Sequence, residues 1–306
     1  MKTWNDIVPH LSLGIGTWAW GDKRVWGYGK DYSDRDLKGA FESCIAAEIN
    51  FFDTAEVYGF GRSEELIGQF IREQHARIVV ATKFMPFPWR AGRKSLNAAL
   101  ERSRRRLGLE SVHLYQIHWP LHVRSLNSLM DDLANVVKEG FTLAVGVSNY
   151  STDQMKRAFE RLAHHGIPLA SNQVEYNLLH RHPEKSGLWK TCNDLGVKLI
   201  AYSPLAMGVL TGKYSSSHKL NGYRGIRYNR FLTEIEKLIG LIREIGQSHG
   251  GKSPSQVALN WTISKGTFPI PGAKNAQQAI ENSGAQGWRL TEDEIRAIEG
   301  TAESIR

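Results

Sequence analysis

The sequence predicts an α/β chain in which eight parallel strands, each followed by a helix, close into one barrel. Three observations carry this. Short apolar segments alternate with amphipathic helical ones, and their ends fall near positions 16, 53, 83, 118, 148, 175 and 202. The step of about 27 to 37 residues is the size of one strand–helix unit. An eighth apolar segment, Thr267-Phe-Pro-Ile270, follows after a longer interval, and the early glycines of Gly14-Ile-Gly16-Thr-Trp-Ala-Trp-Gly21 do not make the GxGxxG turn of an open doubly wound sheet. The pattern is that of a (β/α)8, or TIM, barrel forming a single domain over residues 1–306.

Each element has its own justification. After a short N-terminal ribbon, Leu13-Gly-Ile-Gly-Thr17 is the first strand. Ser33 or Asp34 caps a helix reaching Glu48, with Leu37, Phe41 and Ile45 repeating every four residues on one face. Ile49–Phe52 is a strand ending in Asp53, followed by a helix over 63–73; Ile78–Lys83 is a strand, followed by a helix over 95–107 closed by Gly108. The strand Val112–His118 precedes a helix over 125–139 closed by Gly140. Leu143–Ser148 is a strand with a helix over 151–164 and Gly166 after it; Leu169–Glu175 is a strand with a helix over 188–195 and Gly196 after it. Val197–Tyr202 is the seventh strand, and there the rhythm breaks into a Gly/Ser-rich loop running to about Arg227. Helices over 231–248 and from Ser253-Pro254, which has N-cap and first-turn chemistry, precede the eighth strand. A helix over 275–282 and one opened by the Thr291-Glu-Asp-Glu294 capping box finish the chain.

Composition narrows the function classes. A 41% hydrophobic content is ordinary for a globular chain, and no apolar run approaches the length of a membrane span. The first residues, Met1-Lys-Thr-Trp-Asn-Asp6, lack the apolar core of a signal peptide, which predicts a soluble, cytoplasmic protein. Cys44 and Cys192 sit in apolar helical contexts and read as buried free thiols. The net charge of +8 favours anionic partners in general. Its densest cluster, Arg102, Arg104, Arg105 and Arg106, reads as a solvated helix face, with none of the aromatic interleaving that binds nucleic acid.

In such a barrel, functional groups collect where strands end. Asp53, Lys83, His118, Ser148, Gln173 and Tyr202 all fall at that edge, and the turn after Asp53 brings Tyr58 back to it. A phenol is a weak acid at neutral pH, and a neighbouring ammonium favours the phenolate and so eases proton donation. Lys83 needs a carboxylate to stay charged when buried, and Asp53 supplies one; His118 is placed to hydrogen-bond the oxygen that Tyr58 protonates. The set suits a carbonyl whose oxygen gains charge as its carbon accepts a hydride. No side chain supplies hydride, so a nicotinamide cofactor is implied. Trp20, Trp26, Trp89 and Trp119 lie in or after strand-end segments as candidate walls of a substrate pocket, Trp20 and Trp119 foremost. Arg181 is a candidate contact for a polar or anionic substrate group. His180 and His182 have no third ligand nearby, so no metal is expected.

These residues, together with Gly16-Thr-Trp18, Asp53-Thr-Ala-Glu-Val-Tyr58, Gln116-Ile-His-Trp-Pro120, Gly146-Val-Ser-Asn149, Gln173-Val-Glu-Tyr-Asn177, Tyr202-Ser-Pro-Leu205 and Ile270-Pro-Gly272, resemble the aldo-keto reductases nearly end to end. The resemblance implies that Tyr58 is the general acid, tuned by Asp53 and Lys83, with His118 orienting the carbonyl. It also implies a cofactor site that begins at Gly16, Thr17 and Trp18 and includes Asp53. Ser148, Asn149 and Gln173 would hold the carboxamide, and Tyr202 would stack on the nicotinamide. Ser203, Leu205, Gly208 and Lys213 would follow the pyrophosphate under the long loop, and Gly272, Lys274, Gln278, Glu281 and Asn282 would surround the adenosine end. The Gly208–Lys213 run is no Walker loop, since it has one residue too few between its glycines and Tyr214 in place of Ser or Thr. Lys274 argues for NADPH, a cation rewarding a 2′-phosphate, although Gly272 and Gln278 stand where many relatives carry Lys and Arg. The implied activity is monomeric, NADPH-dependent reduction of small-molecule aldehydes, and of ketones by extension. A second class is an NADPH-binding regulatory or redox-sensor subunit with slow turnover, like the channel-associated β-subunits; those relatives commonly replace the histidine that this chain keeps as His118.

Overall fold

The structure is a computed structural model that describes residues 2–305 apart from Arg93, His122 and Val123. Met1 of the N-terminal stretch, and two positions of the 119–125 loop that borders the expected pocket, therefore lie outside the described residues. Eight strands pair in chain order and all in parallel: β1 Ile15–Gly16, β2 Phe51–Asp53, β3 Val79–Phe84, β4 Val112–Ile117, β5 Thr142–Ser148, β6 Leu169–Glu175, β7 Lys198–Tyr202 and β8 Phe268–Ile270. The seam between the last strand and the first is closed by a Gly16–Gly272 bridge, and the amides of Gly14 and Gly16 donate to the carbonyls of Pro269 and Pro271, both at 3.0 Å.

The pleat explains why chemistry and core share strands. Side chains two apart point to one face, so Phe51 and Asp53, Ala81 and Lys83, and Leu114 and Gln116 form successive layers inside the barrel. The lower layer is apolar, with Phe51, Ala81, Leu114, Ala144, Ile200 and Phe268 buried together. Trp4 plugs its floor, 5.6 Å from the Phe51 ring and 4.9 Å from that of Phe268. Trp4 belongs to a one-turn helix, Trp4–Ile7, opened by a Thr3/Asp6 capping box. The N-terminal ribbon expected from sequence is thus corrected to a helix. The larger core lies between the strands and the surrounding helices.

Most helix bounds match the sequence reading, those over Ser95–Leu107 and Leu188–Leu195 to the residue. Gly108 and Gly196 end these helices in the left-handed conformation, which glycine adopts without a Cβ clash. Three further expectations are revised. The first strand is only two residues long. The stretch after β7 folds into a 3-10 segment, Ala206–Thr211, and a helix, Gly222–Tyr228. The arginine cluster is not all solvated: Arg106 pairs at 2.9 Å with the fully buried Glu64, and Arg104 lies 4.5 Å over the Phe141 ring. Cys44 and Cys192 are buried and unpaired, and among the described residues no helix is long and apolar enough to cross a membrane.

The seam gives a first prediction. A Cβ on Gly16 would stand 2.9 Å from the Ile270 carbonyl oxygen, which is backbone and cannot turn aside. Gly16→Ala is expected to cost about 1–3 kcal/mol, read as a lower urea midpoint with an unchanged slope.

Candidate active site

Four groups meet at the C-terminal mouth of the barrel. β2 ends in Asp53, β3 carries Lys83, and His118 follows β4. Beyond Asp53 the chain turns, with the Tyr58 amide donating to the Ala55 carbonyl at 3.0 Å, and Gly59 and Phe60 take left-handed conformations before the helix Arg62–Gln74 begins. This turn swings the phenol back over the strand ends. The fully buried Lys83 Nζ is ion-paired with Asp53, donates to the Thr54 carbonyl at 2.9 Å, and donates to the Tyr58 hydroxyl at 3.5 Å. Asp53 Oδ1 also accepts from Gln173 Nε2 at 2.8 Å and Gln116 Nε2 at 3.3 Å. The Tyr58 and His118 rings meet edge to face, centroids 5.6 Å apart.

Burial governs the electrostatics. It pushes the Tyr58 phenol well above its ordinary value, and the Asp53 charge adds to this. The phenol therefore holds its proton more firmly than a free tyrosine, against the sequence expectation that Lys83 would loosen it in the resting protein. Lys83 itself is pulled down by burial, with the Asp53 charge and hydrogen bond opposing. His118 is pushed down to about 3, by burial first and the Lys83 charge second, so it is neutral at physiological pH. Its buried Nδ1 has no hydrogen-bond partner among the described residues.

The His118 shift has a stability consequence. Below about pH 6.5 the unfolded chain binds a proton that folded His118 refuses until about pH 3, so stability contributed at neutral pH is lost as pH falls through that window. The loss runs at up to about 1.4 kcal/mol per pH unit. His118→Asn, which has no proton to bind, should flatten the acid limb of urea-midpoint against pH between pH 6 and about 4; an unchanged limb would contradict the buried neutral assignment.

The residues expected around a cofactor line one cavity of about 1020 Å³. Gly16, Thr17 and Trp18 come from the first strand and its loop, and Ser148, Asn149, Gln173 and Tyr202 from the ends of β5 to β7. Ser203, Leu205, Gly208 and Lys213 follow β7, and Gly272, Lys274, Gln278, Glu281 and Asn282 follow β8. A chain of hydrogen bonds orders the middle of this wall. Tyr202 donates to Asn149 Oδ1 at 3.0 Å, Asn149 Nδ2 donates to the His118 carbonyl and to Ser148 Oγ at 3.0 Å each, and Ser148 donates to the Gln173 carbonyl at 2.9 Å. Asn149 adopts a φ of 62°, a conformation in which asparagine is among the few tolerated side chains.

Lys274 is partly buried, its Nζ 5.0 Å from the Trp26 ring and 4.8 Å from the Tyr32 ring. Arg224, from the helix Gly222–Tyr228, lies 5.8 Å from the same Trp26 ring and lines the cavity too. Sequence reasoning missed Arg224, yet a signal was present: the segment 203–231 holds Lys213, Lys219, Arg224, Arg227 and Arg230 and no carboxylate.

Two expected substrate contacts are corrected. Trp20 is fully buried, packs against Phe52 and Phe70, donates to the Ala273 carbonyl at 2.8 Å, and does not line the cavity. Arg181 is held by Glu184 and Glu299, each at 2.8 Å, and stands away from the cavity. Trp119 does line it, as does Trp26, whereas Trp89 stacks on Phe87 outside it.

Comparison with known proteins places the chain in a family. The chain is 41% identical to a chloroplastic pyridoxal reductase of Arabidopsis thaliana over 95% of its own length and 82% of that protein's. It is 36% identical to L-glyceraldehyde 3-phosphate reductase of Escherichia coli K12, covering 90% of this chain and 83% of that one. The solved structure of an aldo-keto reductase from Klebsiella pneumoniae in complex with NADPH superposes with a TM-score of 0.75 at 27% identity, over 94% of this chain and 90% of that one. Residues 12–303 match the family model described as Aldo/keto reductase family, and on a match of that extent the chain belongs to the aldo/keto reductases.

Proposed function

We propose that the protein reduces aldehydes to alcohols with NADPH, and that Tyr58 is the proton donor. The observation that carries this is the opening of Tyr58 and the neutral His118 imidazole onto one large cavity, with the buried Lys83 ammonium behind the phenol at 3.5 Å from its hydroxyl. The residues present fit a dinucleotide. Gly16 brings bare backbone to the cavity wall, amide and hydroxyl groups line its middle, and Lys213, Arg224 and Lys274 supply cations for phosphates.

NADPH, when bound, supplies the hydride that the carbonyl carbon accepts. Ser148, Asn149 and Gln173 would hold its carboxamide, Tyr202 would stack on the ring, and Lys274 with Arg224 would meet the 2′-phosphate. His118 donates one N–H to the substrate carbonyl and, being neutral, does not compete to be the acid. Tyr58 gives its proton to the oxygen as the C=O π bond breaks. The phenolate left behind stands against Lys83, whose charge Asp53 maintains, so the cation acts mainly once proton transfer has begun. His118 in place favours turnover over a sensor role.

The test is consumption of NADPH with an activated aromatic aldehyde, with pyridoxal and glyceraldehyde 3-phosphate as further candidates. Slow consumption unaffected by Tyr58→Phe would reverse the reading towards a binding protein. For the cofactor, Lys274→Ala and Arg224→Ala are each expected to raise the KM for NADPH about tenfold, the value of one charge-assisted contact, with a much smaller change for NADH. An unchanged NADPH/NADH ratio in both variants would remove these residues from the 2′-phosphate.

A further inference from the structure

The helix Gly222–Tyr228 carries two arginines that line the cavity and meet different partners. Arg224 turns towards Trp26 and Lys274, whereas Arg227 Nη2 donates to Glu175 Oε1 at 2.7 Å. Glu175 is the last residue of β6 and stands beside Tyr202, the last of β7, in the strand register. Tyr202 reaches the His118 backbone through Asn149, so the Glu175–Arg227 pair lies towards the Tyr58 and His118 end. Both side chains line the cavity. A second cavity of about 620 Å³ shares Trp119, Asn149, Glu175 and Tyr202 with the first, and its remaining wall includes Ser151, Asp153, Gln154, His180 and His182. Glu175 therefore belongs to the partition between a reaction chamber and an annex of mixed lining, in which Tyr150, Val174, Pro183 and Leu188 also take part.

A part-exposed ion pair contributes little to stability, and the proposed chemistry uses neither group. Different ligands fare differently against it. An anionic substrate group would meet the Glu175 carboxylate. An apolar one would strip water from both charges and return no hydrogen bond. A hydroxyl satisfies both at once, donating to the carboxylate and accepting from the guanidinium. We infer that the Glu175–Arg227 pair is a specificity element that reads hydroxyl groups beside the reacting carbonyl, making hydroxylated aldehydes the preferred substrate class, with the annex taking the longer ones. This rests on the reductase reading.

The experiment compares kcat/KM with NADPH for glyceraldehyde, for propanal of the same carbon length, and for succinic semialdehyde as an anion, in the wild type, Glu175→Ala and Arg227→Ala. Wild type should favour glyceraldehyde over propanal by about tenfold or more, since a site built to bond a hydroxyl rejects the analogue lacking it. Both variants should bring that ratio towards one. Their effects on succinic semialdehyde should have opposite signs: a severalfold gain in Glu175→Ala, which leaves Arg227 unpaired, and a loss in Arg227→Ala, which leaves Glu175 unpaired. A merely structural pair would lower all three substrates together in both variants, and that result overturns the inference. A roughly tenfold weaker NADPH Kd in Arg227→Ala, read by tryptophan quenching, would also overturn it by making Arg227 a cofactor ligand. Turnover of propanal without preference for glyceraldehyde sinks this inference alone, whereas a wild type that reduces none of the three sinks the reductase reading with it.

Discussion

Tyr58→Phe is expected to lower kcat by about two to four orders of magnitude, the usual worth of a positioned general acid, while NADPH affinity stays within a few-fold. The substitution keeps the ring that packs edge to face on His118 and under Lys83, and removes only the hydroxyl. Among the described residues that hydroxyl makes a single long hydrogen bond, at 3.5 Å to Lys83, so the stability change should be within about 1 kcal/mol. Loss of rate without loss of fold or cofactor binding is the signature of a missing proton. Single-turnover consumption of prebound NADPH measures it free of product release. A kcat within about fivefold of the wild type would mean that water or another group delivers the proton, and the proposed chemistry would fail at its centre.

The four groups at the barrel mouth were legible because the fold converts strand ends into one place. Asp53, Lys83 and His118 are 30 or more residues apart in sequence, yet parallel strands in consecutive order bring them to a common edge. Helix ends were legible through local chemistry, as in the capping boxes at Ser151, Ser253 and Thr291. The misreadings share a different cause. Trp20 and Trp26 are six residues apart on one loop, and which faces the cavity is decided by Trp20 bonding to Ala273, far along the chain. Arg181 likewise finds Glu299 from the last helix. No local pattern encodes such pairings. The N-terminal helix was different: its Thr3-Trp-Asn-Asp6 cap was readable, but a single turn carries too little apolar periodicity to announce a helix. The direction in which the resting Tyr58 phenol is shifted was not legible, since a list of neighbours reveals a cation and hides the burial that, with the Asp53 charge, raises it.

Lys83→Met should cost about 3–5 kcal/mol of stability, the usual result of removing one partner of a buried ion pair, and lower kcat about a hundredfold or more. Methionine fills most of the same volume, so the loss is electrostatic. Asp53 would be left buried with Gln173 at 2.8 Å and Gln116 at 3.3 Å, both neutral donors, in place of an ammonium. The informative comparison is with the double variant Asp53→Asn/Lys83→Met. Removing both charges takes away the stranded carboxylate, so urea unfolding should show much of the stability regained, since a well-packed neutral replacement of a buried pair is often no less stable than the pair. Activity should stay lost, because nothing then stands against the Tyr58 oxygen as its proton leaves. Stability restored without activity would mean that this costly pair is kept for the phenolate it faces. Activity restored alongside stability would show the pair to be scaffolding, and the acid at Tyr58 would need another source of support.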